Sequence, residues 1–155
     1  MMGQDDPKKC TAARLIKFSM ATPVRNIPGG SILLHPYADA VLLPGDGKRN
    51  ICAIDCSWKM APQEFAHMIS YNGRHLPPLL AGNPTNYAKI GKLSTVEAVS
   101  AALYITGSPD RAVSLLDKFR WGHTFLELNS APLQEYSDAH TKDQIYDIAG
   151  SFNLI

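Results

Sequence analysis

The stretch "STVEAVSAALYITG" (residues 94–107) divides the chain into two kinds of pattern. Ser94 stands three residues before Glu97, the spacing of a capping box. Val96, Val99, Ala102 and Leu103 recur at helical spacing, and Gly107 closes the run. The pattern predicts a helix that opens at Ser94. Upstream the period is shorter. "RLIKF" (14–18), "SILLH" (31–35), "DAVLLP" (39–44) and "NICAID" (50–55) are short apolar runs separated by glycine- and proline-bearing breaks, and they predict strands. Runs that are apolar on both faces imply a covered, largely parallel sheet. "QEFAHMIS" (63–70) places Phe65, Met68 and Ile69 at helical spacing, and "LPPLLAGNP" (76–84) reads as a further strand running into a loop. Downstream, Ser108 and Pro109 open a second helix, and "HTFLELN", "PLQEYSDA" and "KDQIYDIAG" predict short helices after it. The expected fold class is α/β: an α/β half in residues 1–79, then a mainly helical half in residues 80–155 that shares its core and ligand site.

Bulk properties narrow the function classes. A chain of 155 residues with 45% hydrophobic and 19% charged residues is ordinary for a globular protein and argues against extended disorder. Its formal net charge of +1 does not by itself suggest a nucleic-acid partner, so any basic surface must be local. The N-terminal segment lacks the apolar core of a signal peptide, and no run approaches the roughly 18 residues of a membrane span, which gives a cytoplasmic expectation. Cys10, Cys52 and Cys56 form an odd set; without a second pair to complete a four-ligand site, no metal is expected.

Three clusters carry chemistry-bearing residues. In "ICAIDCSWKMAP" (51–62) an apolar run delivers Asp55 to its carboxyl end, where open α/β sheets present ligand-binding groups, and Trp58 follows three residues later. Asp55 could equally cap the helix starting near Pro62, and Trp58 could pack on the core or face a cation. In "AGNPTNYAKIGKLSTVEA" (81–98), small residues, an Asn-Pro turn and two lysines precede the amino end of the strongest helix, a place that favours an anion. In "DKFRWGHTFLELN" (117–129), basic and aromatic residues interleave as they do where phosphate is gripped and bases are stacked, although a packed helix junction explains the aromatics as well. His123 has no paired ligand spacing and is assigned neither a metal nor a base role. Gly-rich phosphate loops, paired-histidine zinc motifs and serine-elbow patterns are missing from the sequence.

Taken in order, "DPKKCTAARL", "DCSW", "AGNPTNYAKIGKLSTVEAVSAALYITG" and "KFRWGHTFLELN" resemble the signature segments of the small-subunit (16S/18S) rRNA aminocarboxypropyltransferases, over about residues 6–129. The chain departs from that family's pattern at Gln4 and Asp5, where members carry His-Cys, and at Ala88, where they carry glycine. With only Cys10 in the N-terminal part, an iron–sulfur cluster is untenable. The resemblance implies a SPOUT-like fold with a deep trefoil knot, which connection rules alone would disfavour. It implies transfer of the 3-amino-3-carboxypropyl group of S-adenosylmethionine, the co-substrate, to N3 of a modified uridine, usually N1-methylpseudouridine, in small-subunit rRNA or a pre-ribosomal small subunit, with methylthioadenosine released. A SPOUT-type RNA methyltransferase and a non-catalytic RNA-binding assembly factor are the alternatives. Oligomeric state is left open.

The same resemblance assigns roles. Asp55 lies near the acceptor as the candidate catalytic base, with electrostatic positioning as the rival role, since a carboxylate of ordinary proton affinity is a weak base. Trp58 and Ala61 shape the pocket for the methyl and sulfonium; Thr11 and Thr95 hold the amino-acid arm through backbone contacts; Leu79, Leu80 and Gly91 lie in the segments around adenosine. Lys8, Lys9, Arg14, Lys17, Arg49, Lys59, Arg74 and Lys89 are the candidate RNA-facing residues.

Overall fold

A computed structural model describes residues 10–55, 60–68 and 72–155. Trp58, Lys8, Lys9 and Lys59 therefore lie outside the described residues, as do Cys56 and Ile69. The elements run α1 (Thr11–Lys17), β1 (Ile32–Leu34), a 3-10 helix (Pro44–Lys48), β2 (Ile51–Ala53), α2 (Ala61–Ala66), β3 (Gly73–Arg74), α3 (Thr95–Ile105), α4 (Pro109–Leu116), α5 (Gly122–Ser137) and α6 (Lys142–Ser151).

The sheet is small and parallel, in the order β2-β1-β3. Its middle strand is buried on both faces at Ile32, Leu33 and Leu34, as a covered parallel strand requires. In register, Leu34 pairs with Ala53 on one side and Arg74 on the other, so all three strands deliver their following residues to one edge. One continuous core joins sheet and helices: Ile32, Leu42 and Leu79 pack with Val96, Ile105, Phe125 and Leu133. Among the described residues, no helix is long and apolar enough to cross a membrane.

Four sequence expectations are corrected. "RLIKF" belongs to α1 rather than to a strand; Cys10 caps that helix through Ala13 N–H to Sγ (3.4 Å), and Thr11, Ala12 and Leu15 are buried on one side. "DAVLLP" forms only a bridge, Val41 to His75, because Pro44 opens the 3-10 helix and Asp46 takes the Leu43 N–H at 3.0 Å. "LPPLL" supplies no sheet strand, since Pro77 and Pro78 have no N–H to donate; the third strand is the short Gly73–Arg74. The two helices expected within 123–139 are one. α5 passes through Pro132 because Phe125, Asn129, Pro132, Leu133 and Tyr136 bury a single face, and that packing outweighs the lost backbone bond.

Candidate active site

The cleft is assembled at the carboxyl edge of the sheet. β2 ends at Ala53, and Asp55, two residues on, meets the amino ends of two helices. Its Oδ2 accepts from the Cys10 thiol at 3.0 Å and its Oδ1 from the Thr95 hydroxyl at 3.1 Å. Cys10 is the N-cap of α1 and Thr95 the first residue of α3, so the carboxylate ties the two helix starts together. Asp55 does not cap α2: that helix begins after Met60 with no side-chain cap. Burial first, then the hydrogen bond to Asp55, pushes the Cys10 thiol pKa up, so the thiol remains a proton donor to Asp55.

α1 and α3 are locked further by the Thr11 hydroxyl, which accepts from Val96 N–H at 3.2 Å. The capping box at Ser94 forms as the spacing predicts, and Glu97 extends it into a hub. This fully buried carboxylate accepts from the backbone N–H groups of Gly82 (2.6 Å), Asn83 (3.0 Å) and Ser94 (2.7 Å), from the Asn83 amide (2.8 Å) and from the Ser94 hydroxyl (2.9 Å). Residues 81–94 are thereby bound to the start of α3. On the far side, Asn129 of α5 pairs with both peptide groups of Leu80 at 2.8 Å each, and the Tyr136 hydroxyl donates to Pro78 O at 2.9 Å. Burial holds the Tyr136 phenol protonated well beyond the usual tyrosine range.

These elements enclose a cleft of about 1160 Å³. Of the expected ligand residues, Thr11, Asp55, Ala61, Gly91 and Thr95 line it. Leu79 and Leu80 do not; Leu79 is fully buried, and both sit behind the wall, where Leu79 O accepts from Gly91 N–H at 2.9 Å. Gly91 has φ +75°, a left-handed conformation that suits glycine.

The basic residues divide. Lys17, Arg49 and Lys89 are exposed. Arg14 lines the cleft but is anchored, its guanidinium 4.4 Å from the Phe119 ring centroid and donating to Lys118 O at 2.6 Å. Arg74 also lines the cleft, yet its donors go to Asn72 (2.8 Å), Gly73 O (2.9 Å) and Asp46 (3.4 Å). Sequence reasoning missed Cys10, Asn83 and Asn129 as site builders and gave Glu97 only a cap. The capping-box spacing was the one available signal for that hub. In the third cluster Phe119, though buried, and Trp121 both line the cleft, and the two rings lie 5.4 Å apart. Among the described residues, no group of three or more His, Cys, Asp or Glu side chains converges to hold a metal ion.

Comparison with known proteins places this geometry. A family described as "Ribosome biogenesis protein, C-terminal" matches residues 32–153. The 16S rRNA aminocarboxypropyltransferase of Methanococcoides burtonii is 43% identical over 155 residues, covering 96% of this chain and 90% of its own. The protein of that name from Thermoplasma acidophilum is 46% identical over 143 residues, covering 88% and 86%. Among solved structures, the SAM-dependent rRNA:acp-transferase Tsr3 from Vulcanisaeta distributa aligns with a TM-score of 0.85 at 36% identity, over 99% of this chain and 93% of that one. The chain belongs to the 16S rRNA aminocarboxypropyltransferase family.

Proposed function

We propose that this protein transfers the 3-amino-3-carboxypropyl group of S-adenosylmethionine to N3 of a modified uridine, N1-methylpseudouridine, in small-subunit rRNA. The observation that carries the reading is the Asp55 carboxylate in a cleft wall, held between the amino ends of α1 and α3. The cleft fits the co-substrate chemically. The start of α3 favours a carboxylate; Ala61 and Phe65 offer an apolar wall for a methyl group; Gly91 lets the backbone approach the nucleoside. Trp58 completes the methyl pocket in this reading. Leu79 and Leu80 support the adenosine segment from behind, through the Asn129 and Gly91 hydrogen bonds.

When bound, S-adenosylmethionine supplies a sulfonium-activated methylene carbon: the N3–carbon bond forms as the carbon–sulfur bond breaks, and methylthioadenosine leaves. The N3 proton must go elsewhere. Among the described residues Asp55 is oriented by two donors, and its carboxylate in the cleft is suited to take that proton or to align the N3–H. Thr11 and Thr95, at the two helix starts, position the amino-acid arm so that the methylene rather than the methyl is presented. Lys17, Arg49 and Lys89, with Lys8, Lys9 and Lys59, form the RNA-facing surface, to which Arg14 and Arg74 contribute from the cleft walls. The same proposal includes the SPOUT-like trefoil knot, the sharing of one site by halves 1–79 and 80–155, and action in the cytoplasm on pre-ribosomal small subunits.

The decisive experiment supplies S-adenosylmethionine labelled separately on the carboxyl and methyl carbons, followed by nucleoside analysis of the RNA. Carboxyl label in RNA, with methylthioadenosine accumulating, is the expected outcome. Methyl label alone would make the protein a methyltransferase, and no label with RNA still bound would make it a non-catalytic factor.

A further inference from the structure

Tyr37 is an exposed aromatic ring in the cleft that Asp55 also lines, and the co-substrate reading does not use it. Leu34 and Ala53 pair in parallel register, so the segments that follow, through Pro36 and Asp55 respectively, leave the sheet at the same edge. Tyr37 comes next on the β1 side. It lines the same cleft and is 53% exposed, a large exposure for an aromatic residue whose turn is otherwise firmly held.

The hold comes from His35, which is only 4% exposed. Its Nδ1 accepts from Tyr37 N–H at 3.1 Å, which leaves Nε2 as the donor to Phe65 O, also at 3.1 Å. Both ring nitrogens are therefore engaged, and His35 acts as a strut between the Tyr37 turn and α2. The rings pack as a block: His35 lies 4.7 Å from Phe65, and Tyr37 meets Phe65 edge-on at 6.3 Å and His35 at 6.2 Å. Phe65 is buried beneath, which leaves the Tyr37 ring exposed on a rigid base.

The cleft also has room for a second group: small-molecule sites span about 300–1,000 Å³, and this one, at about 1160 Å³, can take a base beside the co-substrate. Single-stranded RNA bases that are drawn out for recognition stack on aromatic side chains.

We propose that Tyr37, braced by His35 and Phe65, is the platform on which the acceptor pyrimidine stacks, with its N3 edge directed to Asp55. This deepens the transferase reading and rests on it. It makes Tyr37 a binding residue for the RNA base and His35 the residue that positions it.

The test compares Tyr37→Leu, Tyr37→Phe and the parent protein on a small-subunit rRNA hairpin and on the same hairpin with an abasic acceptor position. Tyr37→Leu should weaken hairpin binding roughly 5- to 100-fold, the range that loss of one base–aromatic stack gives. Tyr37→Phe should recover most of that loss. S-adenosylmethionine affinity, measured by calorimetry, should be retained in both variants, which also reports that they fold. The abasic hairpin should bind the parent protein about as weakly as Tyr37→Leu binds the intact one, and the Leu variant should lose nothing further on it. If Tyr37→Leu binds the intact hairpin like the parent, or if Phe is as damaging as Leu, the platform is overturned. Failure of the transferase reading registers separately: the parent then transfers no carboxyl label, whatever the three affinities show.

Discussion

Two carboxylates flank the start of α3, and they are treated in opposite ways. Glu97 is fully buried, and the backbone and side chains of Gly82, Asn83 and Ser94 all donate to it. Asp55 is half-buried in the cleft wall, and among the described residues it receives only the Cys10 thiol and the Thr95 hydroxyl. A carboxylate accepts at about four lone-pair positions. Glu97 has its acceptor capacity filled by the protein and can only hold the fold. Asp55 is aimed by these two described partners and lines the cleft, where a ligand can meet it. Burial and saturation with donors mark a structural acid; a place in the wall of a cleft marks a chemical one.

The largest effect should come from breaking the saturated site. Glu97→Ala leaves buried donors of residues 82, 83 and 94 without an acceptor and should cost about 3–5 kcal/mol. The melting temperature should fall on the order of 10 °C, measured by calorimetry. A loss no greater than that of an exposed cap would remove Glu97 from the role of hub.

The matching change on the other side is Asp55→Asn. It should lower the melting temperature by only a few degrees, because one of the two donors loses its acceptor, and leave S-adenosylmethionine binding intact, while transfer falls on the order of 100-fold or more if the carboxylate takes the N3 proton. Transfer at the parent rate across pH would reduce Asp55 to a tie between α1 and α3, and the contrast with Glu97 would collapse.

Cys10 sharpens the comparison at smaller amplitude. Cys10→Ala removes one donor to Asp55 and the cap of α1, for about 0.5–1.5 kcal/mol; Cys10→Ser keeps a donor and should lose less. Because the folded thiol pKa is raised, the folded state holds the proton more tightly than the unfolded chain. The associated stability is fully present below the unfolded thiol value of about 8.5 and is lost as pH rises through the folded one. Urea midpoints of the parent should therefore fall relative to those of Cys10→Ser above about pH 8.5. Parallel curves for the two proteins would show that burial and Asp55 do not raise the thiol pKa in the folded state.

The smallest expected effect lies in the loop that Glu97 anchors. Ala88 has φ +61°, a conformation in which a Cβ costs about 1 kcal/mol. Ala88→Gly should relieve part of this strain and raise stability by up to about 1 kcal/mol, read from urea midpoints. A destabilised variant would show that Ala88 packs in a way that outweighs its backbone.

Local rules made much of the fold readable. The helix beginning at Thr95 follows from the Ser94–Glu97 spacing, which works within one turn of chain. The Ile32–Leu34 strand follows from a short apolar run between breaks. Where short apolar runs were ambiguous, the period alone misled: "RLIKF" reads as a strand until Cys10 is seen to cap it and Leu15 to pack in the core. Pro132 reads as a break until the buried face of α5 is seen to continue past it.

For the site, residue types and local order place Asp55 at a strand end and an anion-favouring amino end at Thr95, and the resemblance joins them into one reaction. No spacing rule brings Cys10 within 3.0 Å of Asp55 across a separation of 45 residues, or Asn129 onto Leu80 across 49. Such contacts depend on where three parallel strands end and how α1, α3 and α5 pack over them. The sequence by itself determined the helix starts, the buried strand and the family pattern, because capping and periodicity act over a few residues. Only the tertiary structure decided which carboxylate is saturated and which faces the cleft, and that Tyr37 stands exposed beside it, because those facts rest on distant segments sharing one sheet edge.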